Sequence, residues 1–389
     1  MKKIACILLT VLILVTMIPF SAITAFAATA DNVQFYRWNE ATGNLEPDTH
    51  NGCVVADDTL SDIGVGYADW VIVKDKVQTG ELNVHGEANI ILAEGGELTA
   101  KCINRKYNPS ILHIYGTSAD GKGGTLRIAG GDGIAISSVD IDLCGGSVIV
   151  DEGYHIGFGG KELAVHGGSV SIRAEMAGVK GCLFITGGSA DIAAISISDF
   201  GNDVIGIIGS LLMEGGDLKI TATFGGIKGN ATVSGGKLDI LASTKGIYNG
   251  VLTLYESIER IHIAVNTLKM PSAISGNYGV DCSSACEKIA GNYDNVLFFN
   301  GQGTQWTNPE QLCHLGINSF ENYAEILFLP PGSEAPDFPP YYATGSTLSS
   351  GNVTIVCTVA VLAVGAFAAA YFVAKRKKKA APAAVSDED

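Results

Sequence analysis

Six copies of the pattern Gly-Gly-x-apolar-x-apolar constrain the fold of this chain more than any other feature. They begin at Gly123, Gly145, Gly167, Gly187, Gly215 and Gly235, at intervals of 22, 22, 20, 28 and 20 residues, and a weaker copy opens at Gly95-Gly96-Glu97-Leu98. Self-similarity at a fixed short period marks a repeat architecture. Two further columns keep the period. Apolar residues separated by one position precede the glycine pairs, as Ile141 and Leu143, Leu163 and Val165, Leu183 and Ile185, Leu211 and Met213, and Ala231 and Val233. A Gly-apolar step falls about midway, at Gly133-Ile134, Gly178-Val179, Gly206-Ile207, Gly226-Ile227 and Gly246-Ile247.

Alternation at period two means strands with one buried face, and several short strands per repeat leave no room for a helix. Each repeat is then one turn of a coil, whose inward Leu, Ile and Val cover those of the next turn in a continuous column. Glycine pairs mark corners where a side chain would not fit. The predicted fold is all-β: a parallel β-helix with rungs of 20 to 22 residues, right-handed by the crossover rule, with rungs about 4.8 Å apart. A leucine-rich horseshoe would show an asparagine-bearing consensus that is absent. A stacked helical array fails because Gly-Gly recurs where helices should run. The 28-residue interval, which contains Ile195 to Phe200, predicts an added loop on one rung.

The two ends carry different signals. Lys2 and Lys3, the apolar run Ile4 to Phe20 and the small-residue site Ala25-Phe26-Ala27 have the layout of a secretory signal cleaved after Ala27. Val353 to Ala374 carries no charge and is followed by five consecutive cations, Lys375 to Lys379. That length spans a hydrocarbon core of about 30 Å, and the cations place the tail on the cytoplasmic side. The expected organisation is a signal peptide (1–27), an N-terminal cap (28–75), the coil (76–254), a C-terminal cap (255–329), a Pro/Ser/Gly-rich spacer (330–352), one transmembrane helix (353–374) and a cytoplasmic tail (375–389). The expected location is the cell membrane, with the coil outside. Setting aside the signal and tail charges leaves 18 basic and 37 acidic side chains, a balance near −19. A surface so acidic repels nucleic acid, which is excluded as a partner.

Seven cysteines fall outside the signal and the span. An odd, scattered set is not a disulfide framework. Cys282, Cys286 and Cys313 are close enough in sequence for one bridge, with the pairing open, and the others read as small buried residues. No spacing matches a zinc site. No cofactor is expected, although calcium is not excluded.

The ordered set Trp38-Asn39-Glu40-Ala41-Thr42-Gly43-Asn44-Leu45, Asp69-Trp70-Val71-Ile72-Val73, Leu82-Asn83-Val84-His85-Gly86, Ile90-Ile91-Leu92, Glu97-Leu98-Thr99-Ala100 and Leu112-His113-Ile114-Tyr115-Gly116 resembles the opening module of repetitive β-helical surface proteins from anaerobic Gram-positive bacteria. The resemblance runs from about Phe35 to Tyr248. It implies an anchored or secreted cell-surface protein and carries no catalytic residues with it. One departure is that Leu329-Pro330-Pro331-Gly332 lacks the threonine-glycine of a sortase signal, which leaves retention to the membrane helix.

Parallel β-helices include polysaccharide lyases and hydrolases, so the outward columns are where chemistry would lie. After the glycine pairs the outward column reads Arg127, Ile149, Ser171, Asp191, Lys219, Asp239. Asp191, Lys219 and Asp239 are the best catalytic set, against the plainer reading of charges stacked down a sheet. Before the pairs the column reads Cys144, His166, Thr186, Glu214, Ser234, in which Cys144 beside His166 has the form of a nucleophile and base with no third orienting group. Tyr154, His155, Phe158 and Phe184 lead the aromatics with which a glycan face could be built, against the plainer reading of turn aromatics as cover for the core. The expected function is a non-enzymatic binding or adhesion module on a membrane anchor, with extracellular glycans or host surface ligands as partners. A carbohydrate-active enzyme and a structural envelope component are the alternatives.

Overall fold

Each repeat folds as three short strands parted by glycine corners, and the strands of successive repeats pair in parallel. The computed structural model describes residues 28–196, 204–250 and 252–265, and beyond them the strands Ser272–Ser275, Val280–Asp281, Asn295–Phe299, Gln305–Thr307 and Glu325–Leu329. All belong to one of the two compact units into which the chain divides. The expected signal, spacer, span and tail lie outside the described residues, as do Cys282, Cys286 and Cys313. Among the described residues no helix is long and apolar enough to cross a membrane.

Three rows of strands run along the coil. The first row follows the glycine pairs, with Glu97–Ala100, Thr125–Ile128, Ser147–Val150, Ser169–Ala174, Ser189–Ala194 and Asp217–Ala222 in register. The second row precedes the pairs, with Glu87–Leu92, Ile111–Gly116, Asp140–Leu143, Glu162–Val165, Cys182–Ile185 and Leu211–Met213. The third row is a ten-stranded sheet from Asp62–Gly64 to Ser272–Ser275. The result is a parallel β-solenoid of the right-handed type with about nine turns of about 22 residues.

The internal row predicted from the repeat forms as one ladder. Leu98, Leu126, Val148, Val170, Ala190, Leu218, Leu238 and Ile261 pair in sequence, and none is more than 3% exposed. Fully burying each of the larger side chains contributes about 1.5 to 3 kcal/mol. The midway glycines have a packing reason. A Cβ on Gly157, Gly178, Gly206 or Gly226 would overlap Ile172, Ile192, Ile220 or Ile240 of the first row, so their bare backbone admits those side chains across the coil. Gly133-Ile134 does not belong to this column. Ile134 pairs with Ile156 and is 37% exposed, so Ala135 takes the glycine place and Ile136 the apolar one.

Parallel pairing extends beyond both limits expected for the coil. Cys53–Val55, Asp62–Gly64 and Trp70–Val73 already occupy coil positions, and Leu252–Val265 continues the register past residue 254. Glu325–Leu329 then pairs antiparallel with residues 261–264 of that strand and with Asn295–Phe299.

The segment expected to cap the N-terminal end contains an antiparallel hairpin, Val33–Asn39 with Asn44–His50. The Gly43 amide donates to the Asn39 carbonyl at 2.8 Å, and the positive φ of Gly43 closes the turn. This hairpin lies along the flank of the coil. Phe35 packs on Trp70 and Tyr115, and with Val33, Cys53, Ile72, Ile91 and Cys144 they form a second hydrophobic cluster outside the coil. Alternation explains the first half of the strand, where Val33 and Phe35 are buried while Gln34 faces solvent and Tyr36 is half-buried.

Candidate functional site

The catalytic set nominated from the first row is aligned as expected. Asp191 pairs in register with Lys219, and Lys219 with Asp239, along a groove of about 390 Å³ that also includes Ser171 and Arg260. Two arginines engage its carboxylates. Arg173 Nη2 lies 3.0 Å from Asp191 Oδ2, and Arg260 Nη2 pairs with Asp239 Oδ2. Burial raises the affinity of Asp239 for its proton, but the hydrogen bond from His262 and the charge of Arg260 outweigh it and hold the carboxyl below its ordinary range. A general acid for glycosidic cleavage needs the opposite shift. The geometry of Asp239 is therefore that of an ion-paired anion in a charge ladder.

A denser polar cluster lies under the hairpin on the second row. His113 pairs in register with Asp142, and its Nδ1 is 2.7 Å from Asp142 Oδ2. His166 Nε2 is 3.4 Å from Asp142 Oδ1, while its Nδ1 is 2.8 Å from Thr186 Oγ1. Trp38 stacks on the His166 ring at 4.7 Å between centroids with planes 13° apart. The Trp38 amide donates to Cys144 Sγ at 3.4 Å. Burial, aided by the charge of Asp142, pushes the Cys144 thiol up, far from a reactive thiolate. Cys144 and His166 thus form no nucleophile and base pair. They are the seat of the hairpin.

Where hairpin and coil meet there is a groove of about 770 Å³, lined by Arg37, Trp38, Asn39, Glu46, Asp48 and His113 among others. Arg37 Nη1 lies 3.4 Å from Asp48 Oδ2, and Asn39 Nδ2 donates to Glu46 Oε2 at 2.8 Å. The groove therefore offers an indole beside donors and acceptors fixed by one another.

The seat is sensitive to pH. Burial lowers the proton affinity of His166, against the opposing charges of Asp142, Glu40 and Glu214, and His113 sits across Asp142 from it. A histidine held neutral by folding contributes full stability above its unfolded value of about 6.5, and that contribution is lost as pH falls from there toward the folded value. Lowering the pH from about 7.5 to about 5 is expected to loosen the hairpin. Trp38 fluorescence should report it, and His166→Gln should flatten the response between those limits. A pH profile identical in both proteins would disprove the assignment.

The nominated aromatics separate. Tyr154 and Phe158 are 0% exposed, and the Tyr154 hydroxyl donates to the Lys101 carbonyl while accepting from the Gly131 amide at 3.0 Å. Their faces fill the coil, which removes them from the candidate glycan surface and leaves the plainer expectation of core cover: Tyr154 plugs a corner and Phe158 points inward from the strand Ile156–Gly159. His155 is exposed, 3.6 Å from Glu175. Phe184 is half-buried, edge-on to His166. Cys53, Cys102, Cys144 and Cys182 are free thiols. Among the described residues no group of three or more His, Cys, Asp or Glu is arranged to hold a metal ion.

No known protein family matches the chain, and neither the curated proteins nor the solved structures contain a match. The residues that sequence reasoning overlooked are His113, Asp142 and Trp38. His113 and Asp142 had a signal, in the outward phase that follows from Leu112 and Ile141 being inward, whereas Trp38 shares the parity of exposed Gln34 and had none.

Proposed function

We propose that this chain is a membrane-anchored extracellular surface protein, similar to the β-helical surface proteins of anaerobic Gram-positive bacteria, whose coil presents a non-catalytic binding face with glycans as the leading ligand class. The observation that carries the reading is the hairpin groove, where the Trp38 indole adjoins mutually fixed polar groups, the composition of a saccharide-binding surface. The apolar run 353–374 with its basic block supports the anchor.

A second reading, a carbohydrate-active enzyme, rests on one observation, that Lys219 lies exposed between Asp191 and Asp239 on successive turns as a base beside acidic groups would. The two carboxylates stand roughly 10 Å apart, outside the range of inverting glycosidases, so of the enzyme classes this arrangement suits a lyase better than a hydrolase. Glycan-array binding of the full-length chain in lipid nanodiscs, paired with reducing-end and unsaturated-uronide assays on the bound polymers, separates the two. The expected result is binding without turnover, and binding unchanged by Lys219→Ala. Product formation that disappears with Lys219→Ala would replace the binding reading by the enzymatic one. A chain that binds no glycan and associates only with itself in light scattering would establish a structural envelope component.

A further inference from the structure

The N-terminal end of the third row carries an aromatic strip separate from both grooves. His85 ends the strand Glu81–His85, and the rings of Tyr67 and Tyr107 lie against it, with centroids 4.2 Å and 5.3 Å away. His85 is 5% exposed and its Nε2 is 2.7 Å from Asp62 Oδ1. Tyr67 and Tyr107 are 56% and 64% exposed. Beside the rings Asp62, Asn83 and Asn104 pair in register on successive turns, forming an outward polar column next to Arg105.

Two properties distinguish this strip from scattered surface tyrosines. An exposed side chain ordinarily loses rotamer freedom when a ligand orders it. Here each ring is already held against a histidine that Asp62 fixes, so an outer face is presented in advance. Buried polar atoms of a folded protein are nearly always hydrogen-bonded. Among the described residues four buried side-chain polar atoms lack a partner, and two of them, Asn83 Oδ1 and His85 Nδ1, belong to this patch.

The ligand that fits is amphipathic and uncharged. Tyrosine offers an apolar face and a hydroxyl rim, the complement of a pyranose ring with its C–H face and equatorial hydroxyls. A cation would suit aromatic faces as well, but Arg105 and Lys106 immediately precede Tyr107 and oppose it. The Asp62 carboxylate is engaged by His85, and Arg105 Nη1 lies 3.4 Å from Asn108 Oδ1. We infer that Tyr67, His85 and Tyr107 form a saccharide subsite for neutral glycans, in which the tyrosine faces stack on sugar rings and Asn104 and Arg105 hydrogen-bond to their hydroxyls. This rests on the glycan-binding reading above and gives it a second location, on a different face of the coil.

The test is calorimetric titration of the full-length chain in nanodiscs with oligomers of glucose, mannose, galactose and N-acetylglucosamine. At least one should bind, and Tyr67→Ala with Tyr107→Ala should weaken it about tenfold or more. Tyr67→Phe with Tyr107→Phe should retain affinity within about threefold, because stacking uses the ring face. The bound oligomer should also protect Tyr67 and Tyr107 of the unaltered chain from iodination, a readout that needs no variant. Full affinity in the alanine pair, or unprotected tyrosines in the complex, would overturn the subsite while leaving glycan binding elsewhere intact. Absence of binding to every oligomer would overturn both.

Discussion

Replacing Gly168 by valine is expected to destabilise the coil by upwards of about 3 kcal/mol, among the largest effects of any single change. Gly168 has φ +72°, and a Cβ there would overlap the carbonyl oxygen of Gly146 on the preceding turn. A β-branched residue rarely adopts that backbone conformation, and the oxygen cannot move aside because Gly146 is also a corner residue, with φ +78°. Gly80→Ala is the control. It has no positive φ and open space around its Cβ position, so alanine should leave stability unchanged or slightly raised. Thermal unfolding and limited proteolysis distinguish the two, and equal melting temperatures would remove the corner column as a determinant of the fold.

Leu218→Asp should cost upwards of about 4 kcal/mol, by placing a carboxylate where no partner can reach it. Leu218 is 1% exposed and sits between Ala190 and Leu238 in the internal ladder. In a solenoid each turn contacts chiefly its neighbours, so the damage should be local. Hydrogen exchange should accelerate first around residues 190 and 238 and last around Leu98. Uniform acceleration along the coil would show instead that the turns unfold as one body.

The coil was legible because its period is written twice, once in glycine and once in alternating apolar residues. Leu126, Val148 and Leu218 could be placed in one column by counting alone. Gly133 was misassigned by the same counting, because a glycine that relieves a turn and one that makes room for an isoleucine are identical letters. The ladder Asp191, Lys219, Asp239 was read correctly as neighbours. Its neutralisation was not, since Arg173 reaches Asp191 from the preceding turn and Arg260 reaches Asp239 from the following one, each two positions off the in-register partner. Tyr154 and Phe158 follow the plainer of the two readings weighed for them, inside the coil, although nothing in composition distinguishes an aromatic that folds inward from one that covers the outside. The hairpin seat lay beyond the repeat logic altogether, because Trp38 meets His166 across more than a hundred residues without any shared period.

That hairpin has a mechanical meaning. By touching Trp70, Tyr115, Cys144 and His166 it fastens several consecutive turns to a common splint. Turns so tied must open together, whereas turns beyond His166 are held chiefly by the ones next to them. Under tension or heat the coil is therefore expected to fray from its carboxyl-terminal turns, while the amino-terminal half tied by the hairpin endures as a rigid head.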